Sequence, residues 1–165
     1  MLEPLRPEHA DEMVGVLDDE RLHEFIGGRP LALAELRERY QRLAVGGSAD
    51  GRQLWLNWIV RGNDGAAMGT VQATVTPGSD GARALVAWVI GARWQRRGVA
   101  TEAARALIEW LRDQGVGSIA AHVHPRHEAS QRVAQRLGLV PTDEESDGEQ
   151  VWRLPDDGHD GDQKS

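Results

Sequence analysis

The residues most able to do chemistry stand together in Trp94-Gln95-Arg96-Arg97-Gly98-Val99-Ala100-Thr101. An apolar run ends at Gly91, a short basic loop follows, and an amphipathic helical pattern begins near Gly98. Such a loop presents Arg93, Arg96 and Arg97 beside the backbone N–H groups of a first helical turn. Those groups have no acceptor within the helix and lie at the positive end of its dipole. Gly98 and Ala100 leave room for a ligand to come close to the backbone. The combination suits an anion, a phosphate or pyrophosphate best. The same residues also fit an ordinary strand-to-helix turn with solvated arginines. The stretch is neither a Walker loop, since it lacks the Gly-Lys-Ser/Thr ending, nor a dinucleotide fingerprint, since the first glycines are missing.

Histidines and tryptophans form the next set of candidates. His122 and His124 are two apart in an apolar run, so on a strand they share one face, with His127 close by. One of the pair can serve as a general base, or all three can be hydrogen-bonded or exposed surface histidines. No carboxylate–histidine spacing accompanies them, so no metal is expected. Trp55 and Asn57 share one strand face, Gln72 and Thr74 share another, and Trp88 follows on the next strand. Large aromatics are mostly core. Amides beside tryptophans on a sheet face can also line an acceptor pocket, which makes Trp55, Asn57, Gln72 and Trp88 candidate substrate contacts.

The elements that must position these residues follow from periodicity. Residues 1–6 read as a short strand. A helical stretch opens at Pro7, carries Met13, Val14 and Leu17 on one face, and breaks at Gly27 and Gly28. A second helix covers 31–45. Strands are expected at 54–61, 68–76 and 84–91, the last apolar enough to be buried on both faces. A strong amphipathic helix covers 99–114, with Val99, Ala103, Ala106, Leu107, Trp110 and Leu111 as its apolar stripe. A strand at 118–123, a helix at 127–137 with Ala129, Val133, Ala134 and Leu137 inward, and weaker strands near 139–142 and 150–154 complete the order. This is an α/β fold in which an antiparallel meander leads into a parallel pair joined by the long helix.

At this point the chain resembles a family. Gln95-Arg96-Arg97-Gly98-Val99-Ala100 is similar to the Gln/Arg-x-x-Gly-x-Gly/Ala signature of the GNAT acetyltransferases. Leu5-Arg6-Pro7, Ala100-Thr101-Glu102-Ala103 and the run from His127 through Ser130 to Gly138-Leu139 look like the branch of ribosomal-protein N-terminal (RimJ/RimL-like) acetyltransferases. The resemblance covers nearly the whole chain. It implies a GNAT-like mixed, mostly antiparallel sheet of six to seven strands, splayed between strands 4 and 5 and flanked by about four helices. It implies acetyl-CoA as co-substrate, with no metal, and direct transfer of acetyl to a primary amine of a protein N-terminus or small molecule. Trp88, Val89 and Ile90 would pair with the pantetheine arm and supply an oxyanion donor. Arg93, Gln95, Arg96, Arg97, Gly98, Val99, Ala100 and Thr101 would hold the pyrophosphate. His127 stands where an arm-binding Asn is usual. Ser130 stands at a thiol-contacting or general-acid Ser, and helix capping is its other reading.

Two departures keep a second function open. Leu85 stands where a general-base Glu is common, and Ala134 where a Tyr protonates the thiolate. A non-catalytic acyl-CoA-binding sensor or regulatory module is therefore the alternative. His122 and His124 are the remaining candidates for a base.

Composition narrows the class. The 165 residues carry 19 Lys+Arg against 26 Asp+Glu, a net of −7. Residues 141–165 hold nine acids and two bases, so residues 1–140 are neutral. A nucleic-acid binder would show a basic face. With no cysteine, disulfides, thiolate zinc sites and a cysteine nucleophile are excluded. No apolar run approaches the roughly 20 residues of a membrane span, and the start of the chain is acidic where a secretory signal is basic then apolar. The expectation is a cytoplasmic protein with one domain over 1–155, a disordered acidic tail over 156–165, no nucleic-acid or membrane partner, and, from the resemblance, a homodimer.

Overall fold

In the computed structural model, which describes residues 1–156 apart from the side chain of Ile26, seven strands form one sheet in the order β1-β2-β3-β4-β5-β7-β6. The strands are β1 (Leu2–Pro4), β2 (Leu54–Arg61), β3 (Ala67–Thr76), β4 (Arg83–Ile90), β5 (Ser118–Val123), β6 (Val140–Ser146) and β7 (Glu149–Arg153). The helices are α1 (Ala10–Val16), α2 (Glu20–Ile26), α3 (Leu33–Ala44), α4 (Val99–Asp113) and α5 (Glu128–Arg136). The first four strands pair antiparallel, and β4 pairs parallel with β5. The tail expected from residue 156 lies, beyond Asp156, outside the described residues.

Alternation in the strands decides which side each helix covers. Val71, Ala73 and Val75 of β3, Val86 of β4 and Ile119, Ala121 and Val123 of β5 are buried against Ala103, Leu107, Ile108 and Leu111 of α4. The opposite face buries Ile59 with Met13 of α1 and Leu36 and Tyr40 of α3. Beyond Ile59 that second face carries polar side chains among apolar ones: Asn57 pairs with Gln72, Trp55 with Thr74, and Thr74 with Leu85.

Three features differ from the sequence expectation. The stretch read as one helix from Pro7 is a short 3-10 turn, then α1, then α2, giving five α-helices. Asp19 causes the break: its extended backbone and side chain cap α2 by accepting the Arg21 N–H. The buried stripe of α4 is rotated, with Ala104 and Ile108 inside and Ala106 exposed. Trp110 lies at the rim, 42% exposed, with its ring edge against Trp58 at 5.5 Å between centroids. On α5, Ala134 is buried whereas Ala129 is exposed.

Candidate active site in the cleft between β4, α4 and α5

The β4–β5 ladder is short. Arg83, Ala84 and Leu85 pair with Ser118, Ile119 and Ala120, and the register goes no further. Past Leu85 the last five residues of β4 have a partner on the β3 side alone. Gly91 N–H donates to the Met68 carbonyl across β3 at 2.8 Å. By strand alternation, the backbone groups of Ile90 and Trp88 therefore point the other way, into the gap. One of them is used: the Gln95 side-chain amide donates to the Ile90 carbonyl at 3.0 Å and ties the loop to the strand end.

The loop then enters α4 through Arg96 (φ 62) and Gly98 (φ 76), both left-handed. At Gly98 this conformation favours glycine, and a Cβ there would meet nothing within 4 Å, so its outer side is open. The first bond of the helix runs from Glu102 N–H to the Gly98 carbonyl at 3.0 Å. The N–H groups of Val99, Ala100 and Thr101 precede it and have no acceptor inside the helix. Beside them the Thr101 hydroxyl is buried, the residue being 8% exposed, and it has no hydrogen-bond partner among the described residues. An unpartnered buried hydroxyl at a helix start fits an oxygen-rich anion.

A cleft of about 630 Å³ joins these parts. It collects Trp88, Val89, Ile90, Gln95, Arg96, Gly98, Val99, Ala100, Thr101, His127 and Ser130, all candidates from sequence. Arg93 and Arg97 are not part of its wall. The 3-10 turn over Ala92–Trp94 carries Arg93 over the Trp94 ring instead, 5.4 Å from its centroid. The opposite wall comes from Leu22 and Phe25 of α2, which no motif marks, and from Arg132 and Arg136 of α5, within the run that follows His127. Phe25 packs tilted against His127 and His124, with ring centroids 4.5 and 5.1 Å away.

The three histidines are separated by their hydrogen bonds. His127 caps α5: its Nδ1 accepts the Ser130 N–H at 3.2 Å, and its Nε2 lies 3.3 Å from Ser130 Oγ. Burial, with a further push from His124, holds His127 below the ordinary imidazole value. His124 Nδ1 accepts the Arg126 N–H at 3.1 Å. His122 has no hydrogen-bond partner among the described residues. It lines a second cavity of about 480 Å³ with Thr74, Leu85, Arg83 and Glu145, on the polar face of the sheet.

Of the predicted acceptor residues, Trp55, Asn57 and Gln72 share one face of the sheet, and Trp88 is on the other. Trp88 pairs with Val71, a core residue of the α4 face, whereas Asn57 and Gln72 pair with each other on the opposite face. Among the described residues, no three His, Cys, Asp or Glu side chains are grouped to hold a metal ion, and no helix is long and apolar enough to cross a membrane.

Residues 1–140 match the profile of the acetyltransferase (GNAT) domain. The chain belongs to the GNAT acetyltransferase family. Solved structures share the fold of this GNAT domain. The aminoglycoside acetyltransferase AAC(6')-Ib, in complex with coenzyme A, is 20% identical with a TM-score of 0.75, covering 95% of this chain and 94% of its own. RimL, a ribosomal alpha-N-protein acetyltransferase in complex with coenzyme A, is 14% identical with a TM-score of 0.75, covering 92% and 91%. A chimera of spermidine N-acetyltransferase SpeG from Vibrio cholerae and hSSAT is 15% identical with a TM-score of 0.70, covering 93% and 92%. The comparison with curated protein sequences returned no match.

Proposed function

We propose that this GNAT protein transfers acetyl from acetyl-CoA directly to a primary amine, either a small-molecule amine or a peptide N-terminus. The observation that carries the reading is the parted end of β4 beside the open start of α4. Structural neighbours in complex with coenzyme A or acetyl-CoA support the choice of carrier.

Each part of the cleft then has a task. The N–H groups of Val99, Ala100 and Thr101, the Thr101 hydroxyl and Arg96 bind the diphosphate. The gap-facing backbone of Trp88 and Ile90 pairs with the pantetheine amides as an added strand would. One N–H of that pair donates to the thioester carbonyl oxygen and stabilises the oxyanion that forms on attack. The amine reaches the carbonyl from the polar face of the sheet. Continuing the Leu85–Ala120 register sets Ala87 across from His122 and Val89 across from His124, so both imidazoles edge that approach. In a neutral His124 the ring lone pair is already engaged by Arg126 N–H. His122, which has no such partner, takes the amine proton. Ser130 donates to the departing sulfur.

A thiol-release assay with acetyl-CoA across spermidine, paromomycin and a short peptide with a free α-amino group tests this. Turnover with at least one amine is expected. Tight acetyl-CoA binding without turnover on an extended panel would favour a binding module, and absence of binding would overturn both.

A further inference from the structure

Ser130 and His127 are joined by two contacts whose directions depend on one another. The Ser130 N–H can only donate, so His127 Nδ1 must carry a lone pair to accept it at 3.2 Å. In the neutral ring the proton is then on Nε2. Nε2–H faces Ser130 Oγ at 3.3 Å and donates to it. The hydroxyl hydrogen is not used in either bond, and Ser130 lines the cleft.

We infer that His127 is a positioning residue for Ser130: it caps α5, holds the Ser130 oxygen from one side, and leaves the hydroxyl hydrogen to be donated to the thiol sulfur as it departs. This rests on the acetyl-transfer reading above. In that step the amine nitrogen bonds to the thioester carbon, the C–S bond breaks with its electron pair going to sulfur, and the amine proton passes through His122 to water. Ser130 stabilises the sulfur anion by a hydrogen bond and undergoes no net change.

The surroundings favour the required ring state. Phe25 covers the imidazole at 4.5 Å. The charged groups that share its cleft are Arg21, Arg96, Glu128, Arg132 and Arg136, and His124 and Glu24 act on the ring itself. Burial, the largest influence, and His124 oppose protonation, a hydrogen bond to the residue's own backbone and Glu24 favour it, and the net effect is toward the neutral ring.

The test separates capping from positioning. Asn at an N-cap accepts the same backbone N–H but lacks the Nε2–H donor. His127→Asn should therefore keep the wild-type melting temperature while lowering kcat about tenfold, the worth of one hydrogen bond. Ser130→Ala should lower kcat at least as far, and the double variant should fall no further than Ser130→Ala. Wild-type kcat in His127→Asn, or losses that multiply in the double variant, would overturn the inference. Nitrogen-15 NMR of the histidines in the full-length protein gives a reading independent of turnover. An Nε2–H ring at His127 whose Nε2 signal moves in Ser130→Ala is expected. An Nδ1–H ring, or a signal indifferent to Ser130, contradicts it. If the wild type fails to bind acetyl-CoA, the proposed function falls and the NMR result still decides this point.

Discussion

A Cβ built on Gly69 would stand 2.1 Å from the carbonyl oxygen of Val89 and 2.9 Å from the Cα of Ile90. Gly69 of β3 pairs with Ile90 in the segment of β4 that has no pairing with β5, so β3 is the one strand partner that sets its register. Both obstructing atoms belong to backbone. Gly69→Ala should destabilise the fold by about 1–3 kcal/mol, the usual cost of forcing extra volume into a packed site. Acetyl-CoA affinity should also fall, because the N–H groups of Trp88 and Ile90 shift with the strand. Urea unfolding and calorimetric titration check the two effects. A variant with wild-type stability would show that β4 yields freely there.

Gly98 allows fold and site to be separated. Its left-handed backbone tolerates Asn better than other side chains, and space beyond its Cβ is open. Gly98→Asn should melt close to the wild type while its side chain occupies the approach to the α4 amides. Calorimetry should show acetyl-CoA affinity reduced by about tenfold or more, the loss of at least one charge-assisted hydrogen bond. Unchanged affinity would remove Gly98 from the diphosphate site.

Thr101→Val should uncouple stability from binding in the other direction. The Thr101 hydroxyl is buried without a partner, so replacing it by a methyl removes an uncompensated polar group. The melting temperature should stay level or rise, and acetyl-CoA should bind more weakly. A clear drop in melting temperature would mean that the hydroxyl has a structural partner in solution.

Acid should loosen the edge of the sheet through Glu3. Hydrogen bonds from Arg61 first, and from His9 second, hold the Glu3 carboxyl at about 2, against 4.5 ordinarily. Arg61 also pairs with Glu12, which joins β1, β2 and α1. Because the folded value is depressed, the stabilisation is complete above the unfolded value of about 4.5 and is lost as pH falls toward about 2. Glu3→Gln should therefore be less stable than the wild type at pH 7, with the gap closing below pH 4.5. Urea midpoints measured across that range decide it, and a gap independent of pH would contradict the linkage.

Most of the scaffold was legible because its patterns are local. Residues 54–61 and 118–123 are strands with the bounds expected, since each is an apolar run closed by turn residues. The α4 start was readable from Gly98 and the basic loop. The break before α2 was not, because Met13, Val14 and Leu17 form one stripe up to it and no Gly or Pro follows before Gly27. Its signal was Asp19 ahead of Glu20, an N-cap followed by an acidic first turn. The strand at 140–146 runs longer than expected through Asp143, Glu144 and Glu145, residues poor in strand propensity. The Asp147-Gly148 turn, both residues left-handed, holds it against β7.

The site divides along the same line. The pyrophosphate loop is contiguous, so its residues announced themselves. Phe25 and Leu22 reach the cleft from more than sixty positions away, and no spacing marks them. The parity of Trp88 against Gln72 depends on the Gln72–Ala87 register, which pairing sets and composition does not.

Amide chemical-shift mapping during titration with coenzyme A tests the central claim most directly. If the gap beside β4 and the start of α4 hold the carrier, the largest changes should fall on the amides of Trp88, Ile90 and residues 98–101, with little change around Glu145 and Arg153. No binding, or changes centred on the cavity around Thr74 and His122, would contradict it.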